Sequence, residues 1–160
     1  MWTYRSKNQP DVWFADSAAT IHVSTNRKDF TSYREYDNEC SINVFSNNLV
    51  KGTSEGDIDV KVECGGKITK IRLANVMHVP GAEGKILSLK MLAQKGFKSH
   101  ISVDHIHISK DNQTYAEAIL GGELYEVKMK VLQPQENILS VVKRDAPATA
   151  LYTWHRRLDT

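Results

Sequence analysis

Two glycine pairs, Gly65-Gly66 and Gly121-Gly122, each lie beside runs of alternating apolar and polar residues. Nothing else in the chain constrains its fold so strongly. Paired glycines supply the left-handed backbone that a tight hairpin needs, and period-two alternation marks a half-buried strand. Before the first pair, Ile58, Val60 and Val62 alternate with Asp57, Asp59, Lys61 and Glu63, which are expected on the polar face. After it, Ile68, Ile71, Leu73, Val76 and Val79 return until Pro80-Gly81 breaks the run. Beyond the second pair, Tyr125, Val127, Met129 and Val131 alternate with Glu126, Lys128 and Lys130 as one further strand.

The remaining elements fit around these hairpins. Val12 to Ala15 is a first strand, and residues 1–11 are a polar lead-in. Ile21 to Tyr36 reads as an irregular loop with a short helical turn, and the next strand starts at Ile42 and Val44. Ser46-Asn47-Asn48, Ser54-Glu55-Gly56 and Lys110 to Gln113 carry turn chemistry. Ile101 and Val103, then Ile106 and Ile108, flank a turn at Asp104. Ser88 can cap a helix from Leu89 to Lys95, closed by Gly96, with Leu89, Leu92 and Ala93 as its core stripe. Many short strands with one short α-helix predict a mainly β fold, a small barrel or sandwich.

Bulk properties exclude several classes. At 160 residues the chain fits one domain. No apolar run approaches the ~20 residues needed to cross a bilayer, and the N-terminus lacks a signal-peptide core, so an intracellular, cytoplasmic protein is expected. A net charge of +2 with dispersed lysines and arginines does not indicate nucleic acid, and Lys143-Arg144 and Arg156-Arg157 are too short as clusters. Cys40 and Cys64 are isolated and read as reduced thiols. His105 and His107 share a strand face expected to be solvent, and neither a metal nor a cofactor is expected.

The chemistry lies in Asp16-Ser17-Ala18-Ala19-Thr20, which follows the apolar run Val12-Trp13-Phe14-Ala15. A strand that delivers a carboxylate into small residues presents an acid at the floor of a cleft. By itself the same pentapeptide also serves as a plain turn or helix cap.

Five segments, in order, resemble the protease region of a copia-type retrotransposon polyprotein, a branch of the retropepsin-like family. Trp13 to His22 is similar to the family's Trp-x-x-Asp-Ser-Gly-Ala-Thr-x-His, and Leu73-Ala74-Asn75-Val76-Met77-His78-Val79-Pro80 to its Leu-x-Asn-Val-Leu-Tyr-Val-Pro. Lys85-Ile86-Leu87-Ser88-Leu89, with Leu92 and Gly96, resembles Asn-Leu-Leu-Ser-Val…Leu…Gly. Gly122-Glu123-Leu124-Tyr125 matches a closing Gly-x-Leu-Tyr, and Leu151 to Leu158 is like the Leu-Trp-His-x-Arg-Leu that opens the pre-integrase segment. The resemblance implies a small closed β-barrel over residues 12–132, a linker over 133–150 and a truncated start of the pre-integrase segment over 151–160. His155 lacks the family's following histidine, so no zinc site is expected there.

The resemblance further implies an aspartic endopeptidase acting on extended peptide or polyprotein substrate. Such hydrolysis needs two carboxylates sharing one proton around a water. One Asp-Ser-small turn supplies only one, so Asp16 must meet Asp16 of a second copy in a homodimer. Ser17 would brace the dyad, and His22 would pack or cap rather than transfer protons. Ser46, Asn47, Asn48, Leu49, Val50, Lys51 and Gly52 occupy the place of the family's flap, whose other reading is an ordinary surface turn. Ala18 stands where the family has Gly. A left-handed backbone there would cost Ala about 1 kcal/mol, whereas an extended one would leave only a steric cost. The alternative function is a catalytically inactive remnant acting as a binding module.

Overall fold

The computed structural model describes residues 12–43 and 49–133. Eleven strands are present among the described residues: β1 (Trp13–Asp16), β2 (Val23–Ser24), β3 (Arg34–Asn43), β4 (Leu49–Cys64), β5 (Lys67–His78), β6 (Lys85–Ser88), β7 (Lys98–Ile101), β8 (His105–Lys110), β9 (Gln113–Gly121), β10 (Leu124–Val127) and β11 (Met129–Val131). A 3-10 turn covers Arg27–Asp29, and one helix, α1 (Leu89–Gln94), follows β6 directly. Over the described residues the fold is therefore mainly β with a single short helix.

The strands join in the order β11-β4-β5-β2-β6-β1-β10-β9-β8-β7, with β3 pairing β4 beside this path. Most pairs are antiparallel, but β1 runs parallel to β6 and β2 parallel to β5. The two end strands, β11 and β7, do not pair with each other, so hydrogen bonding leaves the sheet open. It nevertheless curls, because the segment from Leu124 to Val131 changes partners midway. Lys128 N–H donates to Glu117 on β9, while its carbonyl accepts from Glu63 on β4. The single strand expected over Tyr125 to Val131 is thus two, separated by a corner at Lys128.

Turn residues do what their backbones allow. Gly65 and Gly66 both take positive φ in the β4–β5 hairpin, as do Asp111 and Asn112 between β8 and β9. The second glycine pair works differently: only Gly122 is left-handed, and Gly121 belongs to β9. Ser88 Oγ accepts from Met91 N–H at 3.1 Å, and Gly96 (φ 85°) closes α1 while Phe97 N–H reaches Leu92 carbonyl at 3.0 Å.

The core lies between the curled halves, with β4 packed against β9. Trp13, Ile58, Val60, Val62, Ile106 and Ala118 are among its buried members. Burial on both faces of β1 explains why its apolar run is continuous rather than alternating.

Four further sequence expectations are corrected. Ser54-Glu55-Gly56 is not a turn but part of β4, whose register shifts between Gly56 and Ile58. A Cβ at Gly56 would come within 2.0 Å of the Ser32 carbonyl, so glycine there permits the close approach of the chain entering β3. The strand expected from Ile42 begins at Arg34. Ala93 is exposed, leaving Leu89 and Leu92 as the buried side of α1. Asp59 is buried rather than on the polar face, because Arg72 opposite it closes a two-pronged pair at 2.6 and 2.9 Å.

Candidate active site

β1 ends at Asp16, which sits between β6 on one side and the start of β10 on the other. Parallel pairing places it opposite Ser88. Asp16 is half-buried, and its Oδ1 accepts the Ala18 N–H at 2.7 Å, so the carboxylate is steadied by its own loop. Ser17, Ala18 and Thr20 are exposed and Ala19 is half-buried. Left-handed non-glycine residues are Asn75, Asp111 and Asn112 among the described residues, so Ala18 carries no such strain.

What holds this loop in place is a set of buried polar contacts that sequence reading did not find. Ser88 Oγ donates to the Ala19 carbonyl at 2.6 Å while also capping α1. Ser88 N–H donates to His22 Nδ1 at 3.0 Å, which puts the ring proton on Nε2. Burial pushes the His22 imidazole down to about 4, so it is neutral and serves as an acceptor. His22 N–H in turn lies 3.2 Å from Met91 Sδ on α1. The start of α1 therefore fastens the C-terminal side of the acidic loop.

A second buried layer lies behind it. Ser24 Oγ donates to Asp29 Oδ2 at 2.7 Å, and Lys85 Nζ approaches the same oxygen at 2.8 Å. Asp29 and Lys85 are both 0% exposed. Lys85 pairs with Trp13 across the parallel β1–β6 ladder, and its ammonium lies 5.9 Å from that indole ring. Asp29 Oδ1 and Trp13 Nε1 have no hydrogen-bond partner among the described residues. Burying charge is costly unless it is paired, so this layer is a place where removing one partner is severe.

The expected flap is described only in part. Ser46, Asn47 and Asn48 lie outside the described residues. Leu49, Val50, Lys51 and Gly52 open β4 and pair with Asn43, Ile42, Ser41 and Cys40 of β3, so the stem of a hairpin stands where the sequence placed one. Ile42 and Val50 pack with Ala19 and Ile21 against the small cluster of Val23, Met77, Val79 and Ile86. Hairpin stem and acidic loop thus share one apolar patch. A Cβ at Gly52 would meet Met77 Sδ at 2.5 Å, which explains a glycine in the stem.

The other candidates fall outside this arrangement. His78 is buried, its Nδ1 2.6 Å from Tyr33 Oη, with Phe30 and Tyr33 edge-on to its ring. Desolvation lowers its pKa. Cys40 and Cys64 are free thiols. A small cavity lined by Val62, Leu87, Leu92, Phe97 and Tyr115 is entirely apolar and belongs to the core. No helix among the described residues is long and apolar enough to cross a membrane.

A curled, open β-sheet with an acidic loop emerging beside a parallel strand defines a small, mainly β domain. The family model described as the Pol polyprotein beta-barrel domain matches residues 13–97, more than half of the chain, and the chain belongs to that family. It is accordingly a region of a retroelement Pol polyprotein. The match runs from β1 to the residue after α1's closing glycine, so β7 to β11 fall beyond it. No curated protein and no solved structure matches the chain.

Proposed function

We propose that this domain is the protease region of a copia-type retrotransposon polyprotein, a retropepsin-like barrel and aspartic endopeptidase that cleaves extended polyprotein segments as a homodimer. The observation that carries this reading is the anchored acidic loop. Asp16 leaves β1 half-buried, and His22 and Ser88 tie down the residues behind it. A plain surface turn needs no such buried support. In the dimer, Asp16 from each copy would share one proton and one water. The ionised member draws a proton from the water and the neutral member protonates the scissile carbonyl. The pair titrates as a unit. Ser17 would brace the facing loop, and the β3–β4 hairpin would hold substrate by main-chain strand addition. The barrel would occupy residues 12–132, followed by the linker and pre-integrase start, in an intracellular, cytoplasmic setting.

The test is cleavage of a peptide library by the purified chain, with its oligomeric state measured by sedimentation. Activity that pepstatin-type inhibitors block and Asp16→Asn abolishes, in a dimer, supports the proposal. A folded dimer without turnover overturns it.

Ala18 favours a second reading, the inactive binding module. Its backbone does not require glycine, so the only cost of its methyl group is crowding of whatever approaches the exposed loop. Under that reading Ala18→Gly creates turnover that the parent lacks. Comparable turnover in parent and variant excludes it.

A further inference from the structure

We propose that the outer face of β7 and β8 is a binding site for a divalent transition-metal ion of the Zn2+ class, with His100, His105 and His107 as ligands. The site is independent of the protease reading, being separated from β1 in the sheet by β10 and β9.

Alternation along β8 turns Ile106 and Ile108 into the core and leaves His105 and His107 half-exposed on the opposite face. Antiparallel pairing sets His100 of β7 directly across from His107, and cross-strand partners share a face with Cβ atoms about 5 Å apart. The His105 and His107 rings stand parallel, 10° between planes and 6.0 Å between centroids. Three imidazoles therefore occupy adjacent positions on one small area of sheet.

Their outer partners favour metal binding. His105 Nδ1 lies 2.9 Å from Asp104 Oδ1, and His107 Nδ1 lies 3.5 Å from Glu117 Oε1. A carboxylate that accepts a hydrogen bond from Nδ1–H fixes the tautomer and leaves the Nε2 lone pair for a cation, the arrangement that supports metal-bound histidines generally. Imidazole suits Zn2+, Ni2+ and Cu2+ but not Mg2+. No three donors converge on a single point among the described residues as their side chains stand. His100 is exposed, so swinging its ring toward His107 requires only a rotamer change at the surface. Lys98 shares this face one row further along, opposite Ser109. Three protein ligands plus water complete a tetrahedral Zn2+ site. Bound metal would fasten β7, the last strand of the sheet, to its neighbour.

The test is titration of the full, untagged chain with ZnCl2, followed by calorimetry and by the imidazole proton signals, with MgCl2 as control. Expected are saturable one-to-one Zn2+ binding, joint movement of the His100, His105 and His107 signals, and no response to Mg2+. His107→Ala should weaken binding at least tenfold without altering the thermal unfolding of the metal-free chain. His100→Ala should weaken it as well. Absence of saturable binding up to millimolar Zn2+, unchanged affinity in either variant, or signal movement at other histidines instead overturns the proposal.

Discussion

The acidic loop and the β3–β4 hairpin share an apolar patch yet are built on opposite principles. Residues 16–24 are held by buried polar groups: His22, Ser88, Ser24 and, behind them, Asp29 with Lys85. The hairpin relies on main-chain pairing, and its outer stem is open, with Leu49 at 70% exposure. Its charged link, Arg34 to Glu55, is on the surface, where an ion pair contributes little. Buried polar networks fix one geometry because any alternative leaves charge or hydrogen-bonding groups unsatisfied. An exposed stem has many near-equivalent arrangements. The contrast suits the proposed peptide-cleaving site, in which a firmly held carboxylate would work beside a less constrained hairpin.

The sharpest way to break the comparison is to unpair the buried charges. Lys85→Met leaves Asp29 buried without its counter-charge and should cost about 3–5 kcal/mol. Adding Asp29→Leu should restore much of the loss, since a buried ion pair can often be replaced by apolar residues of similar volume. Urea midpoints of the single and double variants check this. Equal midpoints for Lys85→Met and the parent would show that the loop's support lies elsewhere.

Acid is the next largest perturbation. His22 is held neutral with its pKa at about 4, against 6.5 in the unfolded chain. As pH falls below 6.5 the unfolded chain takes up the proton first, so stability declines. The decline levels off near pH 4, where the folded form is protonated too. The lowered value corresponds to about 3 kcal/mol across that window. His78, also lowered by burial, acts in the same direction. Unfolding free energies at pH 7 and pH 4.5 measure the slope, and His22→Gln should flatten it while keeping an acceptor for Ser88 N–H.

These contacts also mark where sequence reading stops. The paired glycines, the alternation of Ile58, Val60 and Val62, and the Ser88 cap were legible because each signal is local. β6 was not, since all four of its residues are buried, Lys85 included, and no period remains to be read. β3 was hidden for the opposite reason: the polar run Arg34-Glu35-Tyr36-Asp37-Asn38 lies on a strand with little burial. In the site, Asp16 and its loop were recognisable from residue order. Their support was not, because Ser88 and His22 are 66 residues apart and meet through the pairing of β6 with both β1 and β2.

A milder change separates the loop's anchoring from the helix it rests on. Ser88→Ala removes both the bond to the Ala19 carbonyl and the cap on Met91 N–H. Each loss is about 1 kcal/mol, so the variant should fall by about 2 kcal/mol. Amide exchange should rise for Ala19 to His22 as well as in α1. Acceleration confined to α1 would mean that the serine caps the helix without fixing the loop.

The smallest expected effects on stability are in the hairpin, and that is their value. Leu49→Ser and Arg34→Ala alter exposed side chains and should each change unfolding free energy by less than about 0.5 kcal/mol. With folding undisturbed, loss of peptide binding in Leu49→Ser would come from contact with the peptide itself rather than from damage to the domain. Peptide affinity equal to the parent's would leave the stem outside the binding surface, and the exposed Leu49 would need another role. A drop in stability of several kcal/mol would instead show that the hairpin is anchored as firmly as the loop, and the two regions would no longer differ in kind.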